Sequence, residues 1–165
     1  MKFTRKTDYA LRAMQNLARR YYEAAARDET VAPVSVPVLA ADSDLSLRFL
    51  SGIMARLSRK GLVKASPGPG GGLRLARAPE AISILDIVEA AEGPINLMDC
   101  LTHPENCADA SGCSIMSVLH TAQSALVNSL RHSNLKLMVQ ARVAPFQELP
   151  AGHYLKPRFG CPVLK

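Results

Sequence analysis

Seven consecutive residues, Ser66-Pro67-Gly68-Pro69-Gly70-Gly71-Gly72, hold two prolines and four glycines. Proline lacks the amide that a helix or an inner strand needs, and glycine loses the most backbone freedom when either forms. The run can only be a turn. Its short apolar flanks, Leu62-Val63-Lys64-Ala65 and Leu73-Arg74-Leu75, then read as the two strands of a hairpin.

The stretch before the hairpin is helical by period. Apolar residues at Ala10, Leu11, Met14, Leu17 and Ala18 form a stripe, with Thr7 as the expected cap and Asp8 in the first turn. This helix is expected to run to about Ala26. Pro37 opens a short second helix through Ala41, and Asp42-Ser43-Asp44 makes a turn. Leu45-Ser46 opens a third helix ending at Lys60, where Gly61 stops it. Leu47, Phe49, Leu50, Ile53, Met54 and Leu57 are expected to face inward, leaving Arg48, Ser51, Arg56, Arg59 and Lys60 on other faces. Two short helices, the second carrying exposed Arg and Ser, match a helix-turn-helix, and a hairpin directly after the second is a wing. The expected fold class is therefore mainly α with a small β-hairpin wing (α+β): a winged helix-turn-helix DNA-binding domain over 1–80.

Charge agrees with that reading. Residues 1–80 hold fourteen lysines and arginines against seven acidic residues, while 81–143 hold three against six. A basic first half suits a polyanion. From exposure and position, Ser46, Arg48, Ser51 and Arg56 are the expected groove-facing residues. Lys64, Pro69, Gly70, Gly71 and Arg74 are the expected wing contacts. No run is long and apolar enough for a membrane span and the amino terminus lacks a signal-peptide core, so a soluble cytoplasmic protein is expected.

Past the wing, Ile84 to Ala91 forms an amphipathic helix ending at Gly93-Pro94. Then Cys100, Cys107 and Cys113, three of the four cysteines, fall inside fourteen positions of loop composition. Gaps of six and five residues leave slack to wrap a ligand, and neither is the two-residue knuckle typical of zinc sites. In a reducing compartment clustered thiols favour metal or redox roles. Ile115, Val118, Leu119, Ala122, Leu126 and Leu130 follow at three- and four-residue spacing. At 1.5 Å per residue this rod is roughly 27 Å long, too long for so small a domain to cover alone, and is expected to be a dimerisation helix. A short helix runs from Leu135 to about Ala141. Thus 81–143 is the expected cluster-binding loop and dimerisation region, and 144–165, with four prolines and Cys161, a mobile tail.

Taken in order, Thr7-Asp8-Tyr9-Ala10-Leu11-Arg12, Gly61-Leu62-Val63, Gly68 to Leu75, Ile84 to Pro94 and three cysteines before a long helix resemble the IscR/NsrR/RirA-type winged-helix repressors, the Rrf-two superfamily. The resemblance covers about residues 1–142. It implies a homodimeric transcriptional repressor that binds a double-stranded DNA operator under control of an iron–sulfur cluster (2Fe-2S or 4Fe-4S). It implies Cys100, Cys107 and Cys113 as ligands, sensing iron, redox or nitric oxide status. A fourth ligand must come from elsewhere. Where some members carry a histidine three residues after the last cysteine this chain has Met116, and where others use an aspartate on the partner's first helix this chain has Asp8. His103, Glu105, Asp109 and His120 are local alternatives, His120 reading first as a packed histidine. Relatives often carry an arginine just before the Gly-Pro-Gly run, and here it is Pro67. A cluster-free regulator of the same fold, sensing by thiol oxidation or zinc, stands as the alternative. No nucleophile elbow, phosphate loop or paired carboxylates mark an enzyme.

Overall fold

The structure, a computed structural model, describes residues 3–107 and 112–140. The expected tail, with Cys161, and Asp109 lie outside the described residues. Six α-helices are described: α1 (Arg5–Ala26), α2 (Val36–Asp42), α3 (Leu47–Arg59), α4 (Ile84–Glu92), α5 (Ser114–His132) and α6 (Leu135–Gln140). Strands β1 (Val63–Ser66) and β2 (Gly72–Leu75) pair antiparallel between α3 and α4.

The first helix starts earlier than its apolar stripe suggests. Thr4, not Thr7, is the cap, and its hydroxyl accepts the Lys6 amide at 3.1 Å. Thr7 is instead a buried residue inside the helix, and its hydroxyl donates to Glu92 Oε1 at 2.6 Å. The same oxygen accepts the Thr4 amide at 2.6 Å. A carboxylate arriving from α4 thus binds the hydroxyl that local sequence assigns to a cap. Two other starts carry side-chain caps. Ser35 caps α2 with Pro37 in its first turn, and Ser83 with Asp86 closes a capping box on α4.

One core holds α1, α2, α3, the wing, α4 and α6 together. Ala10, Met14, Leu17, Leu39, Leu50, Leu57, Leu62, Ile87 and Leu135 are all part of it. It therefore crosses residue 80, because α4 and the returning α6 close the same apolar centre. The return is pinned on both sides of Ser83: Ile84 donates to Ser133 at 2.8 Å, and Leu135 to Ile82 at 2.9 Å. Leu47 and Phe49, expected inside, are exposed on α3, Phe49 at 45%. The core needs a narrower stripe than the sequence offers, and Phe49 leans edge-on against Tyr9 instead, ring centres 5.4 Å apart.

The wing is tied to the helices by an extra strand-like contact. Val34 and Leu73 exchange both backbone hydrogen bonds, at 2.9 and 2.7 Å. This close approach requires glycine at 72, since a β-carbon there would lie 2.5 Å from the Val34 carbonyl.

A second, smaller core joins Leu85, Val88 and Ile95 to half-buried Leu126, Val127 and Leu130 of α5. No residue of α5 is fully buried.

Candidate functional site

Cys100 sits in a single 3-10 turn, Asp99–Leu101, which packs on α5. Cys107 ends a second such turn, Pro104–Asn106, and its amide donates to Pro104 at 3.1 Å. Cys113 is the cap of α5, its sulfur accepting the Met116 amide at 3.4 Å. The positive end of a helix dipole suits a metal-bound, anionic sulfur. All three thiols are free and half-buried. The loop is fastened at its start to α5, where Gln123 Oε1 accepts the Leu97 amide at 2.8 Å.

Cys100 and Cys113 open into one cavity of about 570 Å³, walled also by Pro104, Met116, Ser117 and His120. Cys107 is not on this wall; its backbone amide bonds to the wall residue Pro104. Among the described residues no three His, Cys, Asp or Glu side chains gather closely enough to hold a single metal ion. Two unpaired thiols on the wall of one roomy cavity, with a third on the turn that Pro104 opens, nevertheless fit, as a donor set, a thiolate-held iron–sulfur cluster. His120, expected as a packed histidine, is an exposed residue on the cavity wall. Asp8 lies on the outer face of α1, its carboxylate accepting Arg12 Nε at 2.9 Å.

Helix α5 shows three faces, as about 100° per residue requires. One, carrying Cys113, Met116, Ser117 and His120, lines the cavity. Another, carrying Leu126, Val127 and Leu130, packs on α4. The third, Ile115, Val118, Ala122 and Ala125, steps by three, four and three and is exposed, Ile115 at 64% and Val118 at 68%.

The groove-facing candidates lie on and beside α3. Ser46 precedes the helix as its cap residue without using its side chain to cap it. Ser51 donates its hydroxyl back to Leu47 at 2.9 Å. Ser46, Arg48 and Arg56 line a groove of about 330 Å³ together with Phe49, Ile53 and Lys6, so the start of α1 adds a cation that sequence reading left out. The signal was weak, a lysine one turn before any apolar period. Arg56 also donates to the Ala91 carbonyl at 3.2 Å. On the wing, Lys64 and Arg74 are paired directly across the strands, and Pro69, Gly70 and Gly71 form the tip between them.

The end of α4 joins these parts. Thr4 and Thr7 hold Glu92 and Arg56 holds Ala91, while the cysteine loop starts a few residues later. Burial works against the Glu92 carboxylate, but the Thr7 and Thr4 hydrogen bonds outweigh it and hold its pKa below the ordinary value.

Residues 3–141 match the family model for the iron-dependent transcriptional regulators of Rrf2 type. The chain is 32% identical over 137 residues to the HTH-type transcriptional regulator NsrR of Halalkalibacterium halodurans, covering 82% of this chain and 88% of that one. Among solved structures it is similar to T. potens IscR, at 28% identity and TM-score 0.61, covering 84% of this chain and 86% of that one. It is similar also to CymR, the global cysteine regulator of B. subtilis, at 25% identity and TM-score 0.61, covering 84% and 96%. These relatives are transcriptional regulators and not enzymes, and no helix among the described residues is long and apolar enough to cross a membrane. With its winged helix-turn-helix and a family match over residues 3–141, the chain belongs to the Rrf2 family of transcriptional regulators.

Proposed function

We propose that this protein is a homodimeric repressor whose grip on a DNA operator is set by an iron–sulfur cluster held by Cys100, Cys107 and Cys113. The observation that carries the reading is the cavity that Cys100 and Cys113 share, with a third free thiol tethered to its wall. When bound, the cluster supplies a redox- and ligand-sensitive centre that can be lost to oxidation or iron shortage.

This chain's own residues do the rest. Ile115, Val118, Ala122 and Ala125 form an apolar stripe with heptad-like steps, which a second copy of α5 would cover. Two α3 helices, about 34 Å apart, would then enter successive major grooves, with Ser46, Arg48, Ser51 and Arg56 facing them. Lys64, Pro69, Gly70, Gly71 and Arg74 would follow the backbone beside the minor groove. Any change in the loop's arrangement reaches α3 through the end of α4, where Arg56 and Glu92 are fastened. A two-state shift there is what differential binding requires.

The test is anaerobic purification with iron and sulfide counts, followed by duplex binding with and without the cluster. Colourless, iron-free protein that binds its operator normally defeats the reading. Lys64→Ala or Arg74→Ala is expected to weaken binding to all sequences and lower the salt slope by about 1 each.

A second reading has its own support. No three ligating side chains gather around one ion among the described residues, and CymR is among the similar structures. In that reading the three thiols sense oxidation directly, and operator binding would respond to a thiol oxidant in protein without iron.

A further inference from the structure

The cavity between Cys100 and Cys113 has one imidazole on its wall. His120 stands seven residues along α5 from Cys113, on the face that Met116 and Ser117 share. Its ring nitrogens have no hydrogen-bond or ion-pair partner among the described residues. The other described histidines are engaged. His103 pairs with Glu105 at 3.0 Å, and His132 with the Asn128 carbonyl at 2.7 Å. Asp8, one of the carboxylate candidates, accepts Arg12 Nε in a surface ion pair.

Helix geometry separates a single ion from a cluster. Seven residues place the Cys113 and His120 backbones ~10.5 Å apart along the axis. That span is wide for two ligands of one zinc ion at about 2.0–2.3 Å. A multi-iron cluster takes its ligands on different irons, so donors two turns apart on one helix face can serve it together.

We propose that His120, from the same subunit, is the fourth ligand of the cluster held by Cys100, Cys107 and Cys113. The inference rests on the cluster reading above. An imidazole in place of a fourth thiolate lowers the site's negative charge, raising its reduction potential. It also makes retention acid-sensitive, since a histidine ligand must be neutral to bind.

The full chain, reconstituted anaerobically with ferrous iron and sulfide and then reduced, is examined by pulsed electron paramagnetic resonance. The wild type is expected to show a nitrogen coupling of imidazole size. His120→Ala is expected to lose that coupling and to release iron to a chelator on the order of tenfold faster. His120→Cys is expected to keep full iron content without the coupling, so the test survives if the alanine variant does not fold. An iron-loaded wild type without nitrogen coupling, or a coupling that persists in either variant, overturns the inference and leaves the cluster reading intact. Iron release caused by Asp8→Ala and not by His120→Ala also overturns it. A wild type that takes up no iron overturns the cluster reading itself and this inference with it.

Discussion

The two halves of this chain are built on different terms. The DNA-reading half closes on itself. Leu39, Leu50, Leu57 and Met14 are out of contact with water, and α4 and α6 complete their enclosure. The cysteine-bearing half has a helix of 19 residues with none fully buried, beside a loop whose described regular pieces are single 3-10 turns. A closed core holds its shape without help. A helix with an exposed apolar stripe, and a loop held by single turns, draw less of their stability from an enclosed core. The contrast suits the sensing role proposed above, since responsive parts come from the less stable end of a structure.

The largest effect is expected in the closed half. Leu57→Ala should destabilise by about 2–5 kcal/mol, read from the urea midpoint, because the enclosed site cannot collapse around the lost atoms. Leu126→Ala, at a half-buried position, should cost well under half as much. Equal losses would break the contrast.

Next comes the exposed stripe. Val118→Glu should weaken self-association by about a hundredfold, close to 2.7 kcal/mol, in sedimentation equilibrium. The unfolding midpoint of the reading half should barely move. A monomeric wild type, or a variant that still dimerises, would show that the stripe is not the interface.

A comparable but more local cost is expected at the wing. Gly72→Ala forces a β-carbon against the Val34 carbonyl at 2.5 Å and should cost about 1–3 kcal/mol. Amide exchange should quicken at Val34 and Leu73 before it does in α1. Unchanged protection there would show that the wing is not fastened through Val34.

The smallest effect sharpens the link between the halves. The Glu92 carboxyl is held below its ordinary value, so the folded protein binds its proton less readily than the unfolded chain. Its contribution is present above the ordinary carboxylate range, near 4.5, and is lost as pH falls through the lower folded value. Glu92→Gln should remove that part of the acid sensitivity in pH-dependent unfolding. A variant with the wild-type acid profile would show that the Thr4–Thr7–Glu92 contact does not hold α1 to α4.

Local signals were legible where chemistry is local. The 66–72 run dictated its turn, Ser83 and Asp86 announced the start of α4, and the cysteine spacing marked a loop. Reading failed where a distant partner competes. Thr7 carries the sequence pattern of a cap, yet Glu92, 85 residues away, claims its hydroxyl. Phe49 belongs to the apolar period of α3, but the core has room for only four of that helix's side chains. His120 looked like a packed residue because nothing in its neighbours' spacing shows which face of α5 meets the cysteine turns.

By itself, then, the sequence determined the order and type of the elements, the basic first half and the clustering of the thiols. Each follows from composition, period or a short-range hydrogen bond. Tertiary structure alone decided that α6 returns to the first core, that Arg56 and Glu92 fasten the end of α4, and that Cys100, Cys113 and His120 share a cavity. Those outcomes depend on which surfaces remain once the core has closed, and sequence spacing carries no record of that.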